Sequence, residues 1–84
     1  MITSNTPTID LHGEPRDIAR ILINDFILDN YKLHKKEVII IHGKGKNILL
    51  KETKETLKNN KYVLEYKQDN FNPGETIVKL KYSK

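Results

Sequence analysis

The chain contains no cysteine. That excludes a disulfide scaffold, a thiolate nucleophile, an iron–sulfur cluster and every cysteine-bearing zinc site. Long apolar runs are missing too. The longest, Val38 to Ile41, is far short of the ~18 residues a membrane span needs. The amino terminus, Met1 to Pro7, has neither the charged nor the apolar region of a signal peptide. The expectation is therefore a cytoplasmic protein with no membrane partner. Nucleotide-binding loops are also lacking. No glycine stands five residues before a Gly-Lys-[Ser/Thr], and Ile48 occupies the third glycine position of a dinucleotide fingerprint. No nucleotide cofactor is expected.

What is present fits one small domain. At 84 residues, a chain buries only ~60–65% of the surface its unfolded form exposes, so the core is modest. The hydrophobic fraction of 37% and mean hydropathy of −0.61 are lean, yet too apolar for a disordered tail. The net charge is +4, unevenly placed. Residues 1–31 set Arg16 and Arg20 against five acidic residues, and residues 32–61 set nine lysines against Glu37, Glu52 and Glu55. The basic surface thus belongs to the middle third, which suits an acidic partner.

Residues 1–7 read as a flexible leader and residues 8–84 as a single domain. Ile9 and Leu11 alternate with Asp10 and His12, which predicts a short strand ended by Gly13. Pro15 suits the first turn of a helix, and apolar residues at helical spacing carry it to about Tyr31. The β-branched run Glu37 to His42 suits a central strand covered on both faces or nearly so. Asn47 is the expected N-cap of a second helix reaching about Asn59, with Ile48, Leu49, Thr53 and Leu57 inward. Tyr62–Lys67 and Thr76–Tyr82 read as strands around the turn-rich Asp69 to Gly74. The order β-α-β-α-β-β implies a two-layer α/β sandwich, with two helices on a four-stranded mixed sheet. Lys79, Lys81 and Lys84 would then guard the edge formed by the last strand.

The chain repeats itself once. Ile9-Asp10-Leu11-His12-Gly13 and Ile39-Ile40-Ile41-His42-Gly43 are each strand, then His-Gly, then helix, and the two histidines lie 30 residues apart. That spacing is about one βα unit. On parallel neighbouring strands, ~4.8 Å apart, His12 and His42 would stand together at the carboxyl ends, where α/β sheets bind ligands. Asp10 shares the strand face of His12. Gly43-Lys44-Gly45-Lys46 precedes a helix amino terminus, whose free amides and dipole, with two lysines, suit a phosphodiester. Gly13 and Gly43 also suit turns that need positive φ.

At these residues the sequence resembles the Smr (small MutS-related) domain. Ile9-Asp10-Leu11-His12-Gly13 matches the family's L-D-L-H-G element, and His42-Gly43-Lys44-Gly45 its [HT]-G-x-G element. Lys44 stands where many members have arginine, which keeps the charge but loses the bidentate fork. The resemblance implies a fold similar to the C-terminal domain of bacterial translation initiation factor three. It also implies nucleic-acid binding, DNA or RNA, with endonuclease activity in many members and the ribosome as a partner of some. Asp10, His12 and His42 are the candidate catalytic residues. Gly13, Gly43, Lys44, Gly45 and Lys46 are the candidate phosphate-binding residues. No metal ligands are assigned, although a divalent ion on Asp10 becomes plausible if the substrate is DNA. The same basic surface also fits a non-catalytic nucleic-acid- or ribosome-binding module, and the terminal hairpin fits a protein-interaction edge.

Overall fold

Alternation of period two and runs of period 3.6 divide the chain into six elements. The computed structural model describes residues 5–45 and 47–82. In order these are β1 (Thr8–Asp10), α1 (Arg16–Lys32), β2 (Glu37–Ile41), α2 (Ile48–Lys58), β3 (Val63–Gln68) and β4 (Glu75–Leu80). The sheet runs β1-β2-β4-β3. β1 and β2 are parallel, with Ile9 opposite Ile40, whereas β4 lies antiparallel to both β2 and β3. Pairing of the first strand begins ahead of Thr8, because the Ile39 amide donates to the Pro7 carbonyl at 2.9 Å.

This order corrects one expectation. β4 is an inner strand, inserted between β2 and β3, so the edges are β1 and β3. A β3–β4 hairpin can add to β2 through either strand, and β4 does so because Val38 and Val78 meet in one row and both are buried. Lys79 therefore projects from the middle of the sheet, paired with Glu65 at 3.3 Å. Lys84 lies outside the described residues.

Both helices bury their apolar stripes against one face. Leu11, Ala19, Ile23, Ile27, Val38, Ile40, Leu57, Val78 and Leu80 form a single core. Burying side chains of this size stabilises by about 1.5–3 kcal/mol each. The other face carries no helix. Ile39 there is nearly buried and Ile41 only half so, so the β-branched run of β2 is covered on one side by helices and on the other by neighbouring side chains. Glu52 of α2 joins the helices. Arg16 and Arg20 approach it at 3.6 and 3.8 Å, and it accepts the Thr56 hydroxyl at 3.2 Å.

Two local details differ from the expectation. Asn47 is the N-cap of α2, but at φ +65 it sits in the left-handed region and its side chain makes no capping bond. Asparagine tolerates that conformation. The helix turns Thr53, Thr56 and Leu57 inward and leaves Ile48 exposed. At the far end of the sheet, Tyr31 stacks on Tyr82 with ring centroids 5.0 Å apart, and Tyr62 lies 4.3 Å from Tyr31. Among the described residues, no helix is long and apolar enough to cross a membrane.

Candidate functional site

The parallel pairing of β1 with β2 carries both His-Gly elements to the same end of the sheet. Beyond the last strand residues the ladder continues, with the Leu11 amide donating to the Ile41 carbonyl at 2.7 Å. Each strand then turns through a glycine, Gly13 at φ +86 and Gly43 at φ +85. Both are conformations that L-residues adopt only at a cost, so glycine is required there by the backbone itself. The two turns open on a depression of about 360 Å³, lined by His12, Gly13, His42, Gly43, Lys44 and Gly45 together with the first turn of α2. Lys46 lies outside the described residues.

The two histidines differ in kind. His12 is exposed, and its ring makes no hydrogen bond among the described residues. His42 is buried, with both ring nitrogens engaged. Nδ1 lies 3.1 Å from the Gly43 carbonyl and Nε2 lies 2.9 Å from the Thr76 hydroxyl. A carbonyl can only accept, so Nδ1 carries the proton and Nε2 accepts from Thr76 in the neutral ring. Burial pushes the His42 pKa below the usual histidine value; the Gly43 carbonyl opposes this and the charge of Lys54 adds to it. His42 thus stays neutral and clamps the end of β2 to β4.

Asp10 contributes through the backbone. Its Oδ1 accepts the His12 amide at 2.9 Å, an Asx turn that fixes the chain carrying the imidazole. Asp10 is not among the residues lining the depression. Among the described residues, no group of three or more His, Cys, Asp or Glu side chains could hold a metal ion.

The opposite wall is built for negative charge. In the first turn of α2 the amides have no intrahelical partner, no side chain caps them, and no acidic residue stands there. Leu49 and Leu50 of that turn line the depression, so the positive end of the helix dipole faces it. Lys44 is exposed on the adjoining loop. The geometry thus sets a free imidazole, a lysine and a helix amino terminus around one open space. That arrangement can hold an anion and move a proton beside it.

Two participants are not apparent from the sequence. Thr76 fixes His42 from 34 residues away, and its only signal is its place on the face of β4 that Val78 and Leu80 bury. Gly74 reads as a turn residue alone. Its carbonyl accepts the amides of both His42 and Gly43 at 2.9 Å, and a Cβ there would stand 3.1 Å from Lys44 Cγ. The β3–β4 loop is therefore fastened to the lysine loop.

The comparisons with known proteins agree with this fold. The family model for the Smr domain matches residues 9–81. The endonuclease MutS2 of Halothermothrix orenii is 34% identical over 79 residues, and that of Helicobacter pylori 38% over 72 residues. These alignments cover 90% and 86% of this chain but only 10% and 9% of those proteins. Among solved structures, the Smr domain of Thermus thermophilus MutS2 superposes with a TM-score of 0.88 at 22% identity, covering 92% of this chain and all of that one. YdaL, a stand-alone small MutS-related protein from Escherichia coli, gives 0.86 at 23%, covering 93% of this chain and 66% of that one. The identities are low, so these two structures establish the fold, while the family model and the MutS2 relatives establish descent. The chain belongs to the Smr domain family.

Proposed function

We propose that this chain binds nucleic acid and cleaves phosphodiester bonds, with His12 as the proton-transfer group. The observation that carries the reading is the convergence of His12, Lys44 and the uncapped α2 amino terminus on one depression. The name endonuclease borne by the MutS2 relatives supports it, although this chain spans about a tenth of their length. In this reading Lys44 and the loop amides around Gly43 and Gly45 hold the phosphate and the charge that develops on it. Gly13 lets the backbone turn away so that the His12 ring reaches the phosphate.

On RNA the steps balance without a metal. His12 takes the proton from the 2′-hydroxyl as that oxygen bonds to phosphorus. The bond to the 5′-oxygen breaks, and the imidazolium returns its proton to that leaving oxygen. The products are a cyclic phosphate and a free 5′-hydroxyl. DNA lacks the 2′-hydroxyl, so a water must be brought in and activated, whereas RNA carries its nucleophile within the substrate. RNA is therefore the favoured substrate.

One observation favours a second reading, a binding module without catalysis. His42 is fully bonded and Asp10 serves the backbone, which leaves His12 as the one unbonded imidazole or carboxylate at the depression among the described residues. A cleavage panel on single-stranded RNA, duplex DNA and branched DNA, each with and without EDTA, separates the two. The nuclease reading expects cutting of RNA that survives EDTA. Tight binding with no cutting of any substrate supports the second reading instead.

A further inference from the structure

The β3–β4 loop presents an aromatic ring to solvent with nothing over it: Phe71 is 99% exposed. An apolar ring gains nothing from water, and this one is held out by a structured turn. The Phe71 amide donates to Asp69 Oδ1 at 2.9 Å, the Gly74 amide to Asn72 Oδ1 at 3.1 Å, and Gln68 Nε2 to the Pro73 carbonyl at 2.6 Å. The turn is itself fastened to the phosphate loop, because the Gly74 carbonyl accepts the His42 and Gly43 amides. Ring, lysine and imidazole therefore occupy loops at one end of the sheet, the ring on the loop that joins β3 to β4. At ~4.8 Å between neighbouring strands, these loops span ~10–14 Å.

We propose that Phe71 is a stacking platform for an unpaired base of the strand whose phosphate lies at His12 and Lys44. The inference rests on the nucleic-acid reading above and sharpens it, since it makes strands with unpaired bases the preferred substrate. Three observations favour a base over other occupants. Its loop neighbours Asp69, Asn70 and Asn72 are polar, and Asn70 and Asn72 are exposed, so along this loop the ring stands alone and does not extend into the apolar patch a protein partner needs. A base needs only one ring face. The carboxylates of Asp69 and Glu75, which interact at the neck of the loop, repel phosphate there, so a strand anchored at Lys44 turns its base rather than its backbone towards Phe71. Bases within a duplex are already stacked on both faces and cannot use the platform.

The test compares wild type, Phe71→Ala and Phe71→Trp on a labelled single-stranded oligonucleotide and a blunt duplex of the same sequence, by fluorescence anisotropy. Phe71→Ala is expected to weaken single-strand binding by about 5- to 150-fold, the range for losing one base–aromatic stack, and to leave duplex binding within about twofold. The chain has no tryptophan, so Phe71→Trp supplies a unique reporter that should keep the affinity and be quenched when the single strand binds. An unchanged affinity in Phe71→Ala, an equal loss on both substrates, or an unquenched indole on a bound strand overturns the proposal while leaving the nucleic-acid reading intact. Failure of wild type to bind either substrate overturns that reading, and this inference with it.

Discussion

Replacing His42 by alanine tests how the site is held. The substitution removes the bonds to the Gly43 carbonyl and the Thr76 hydroxyl, each contributing about 1 kcal/mol net. It also strands the Thr76 hydroxyl, since that residue is fully buried. The stranded group's cost of about 1–3 kcal/mol subsumes the lost Thr76 bond, so together with the Gly43 bond the expected loss at about pH 7.5 is about 2–4 kcal/mol, read by urea unfolding. For a domain of this size that lowers Tm by roughly 10–25 °C.

The pH dependence gives the sharper test. Burial lowers the His42 pKa in the folded state, so between that value and the ordinary ~6.5 the unfolded chain binds a proton that the folded chain refuses. Stability from this group is complete above ~6.5 and is lost as pH falls through that window. The wild-type advantage over His42→Ala should therefore shrink on acidification, by at most about 1.4 kcal/mol per pH unit. Groups common to both proteins cancel in the difference. An advantage that stays constant or grows between about pH 7.5 and pH 5.5 would refute the assignment of a neutral, buried clamp.

Three further outcomes follow from the same geometry. Gly43→Ala should cost about 1–2 kcal/mol, because the residue sits at φ +85 with open space around a Cβ, leaving backbone strain as the whole penalty; denaturant midpoints measure it, and a loss under about 0.5 kcal/mol would contradict the strain. Thr53→Val should stabilise by about 1 kcal/mol, since the buried Thr53 hydroxyl finds no partner among the described residues and a methyl of similar size has nothing to satisfy. The midpoint should rise at constant slope. Lys44→Ala should flatten the dependence of log K on log salt by about 0.9 for each phosphate no longer neutralised on duplex, or about 0.7 on single strands; an unchanged slope would move the phosphate elsewhere.

Much of the site is legible in the sequence because it is a local matter. Two His-Gly pairs one βα unit apart can only come together if the strands are parallel neighbours, and Ile9 opposite Ile40 makes them so. The positive φ of Gly13 and Gly43 follows from the same turns. The long-range choices are not legible. A hairpin pattern specifies that β3 pairs with β4 but is silent on which strand joins β2, so Lys79 is expected at an edge and lies inside. The difference between His12 and His42 rests on Thr76, which no local pattern connects to it. The phase of α2, which leaves apolar Ile48 exposed and buries Thr53 and Thr56, is set by packing against the rest of the core rather than by the local pattern.

The central claim is that a free imidazole works on a phosphate held by its neighbours. The most direct measurement is single-turnover cleavage and equilibrium binding of one labelled RNA strand by wild type and His12→Ala in parallel. The account predicts binding within about twofold and cleavage slowed by about 100-fold or more. Equal cleavage by the two proteins would contradict it.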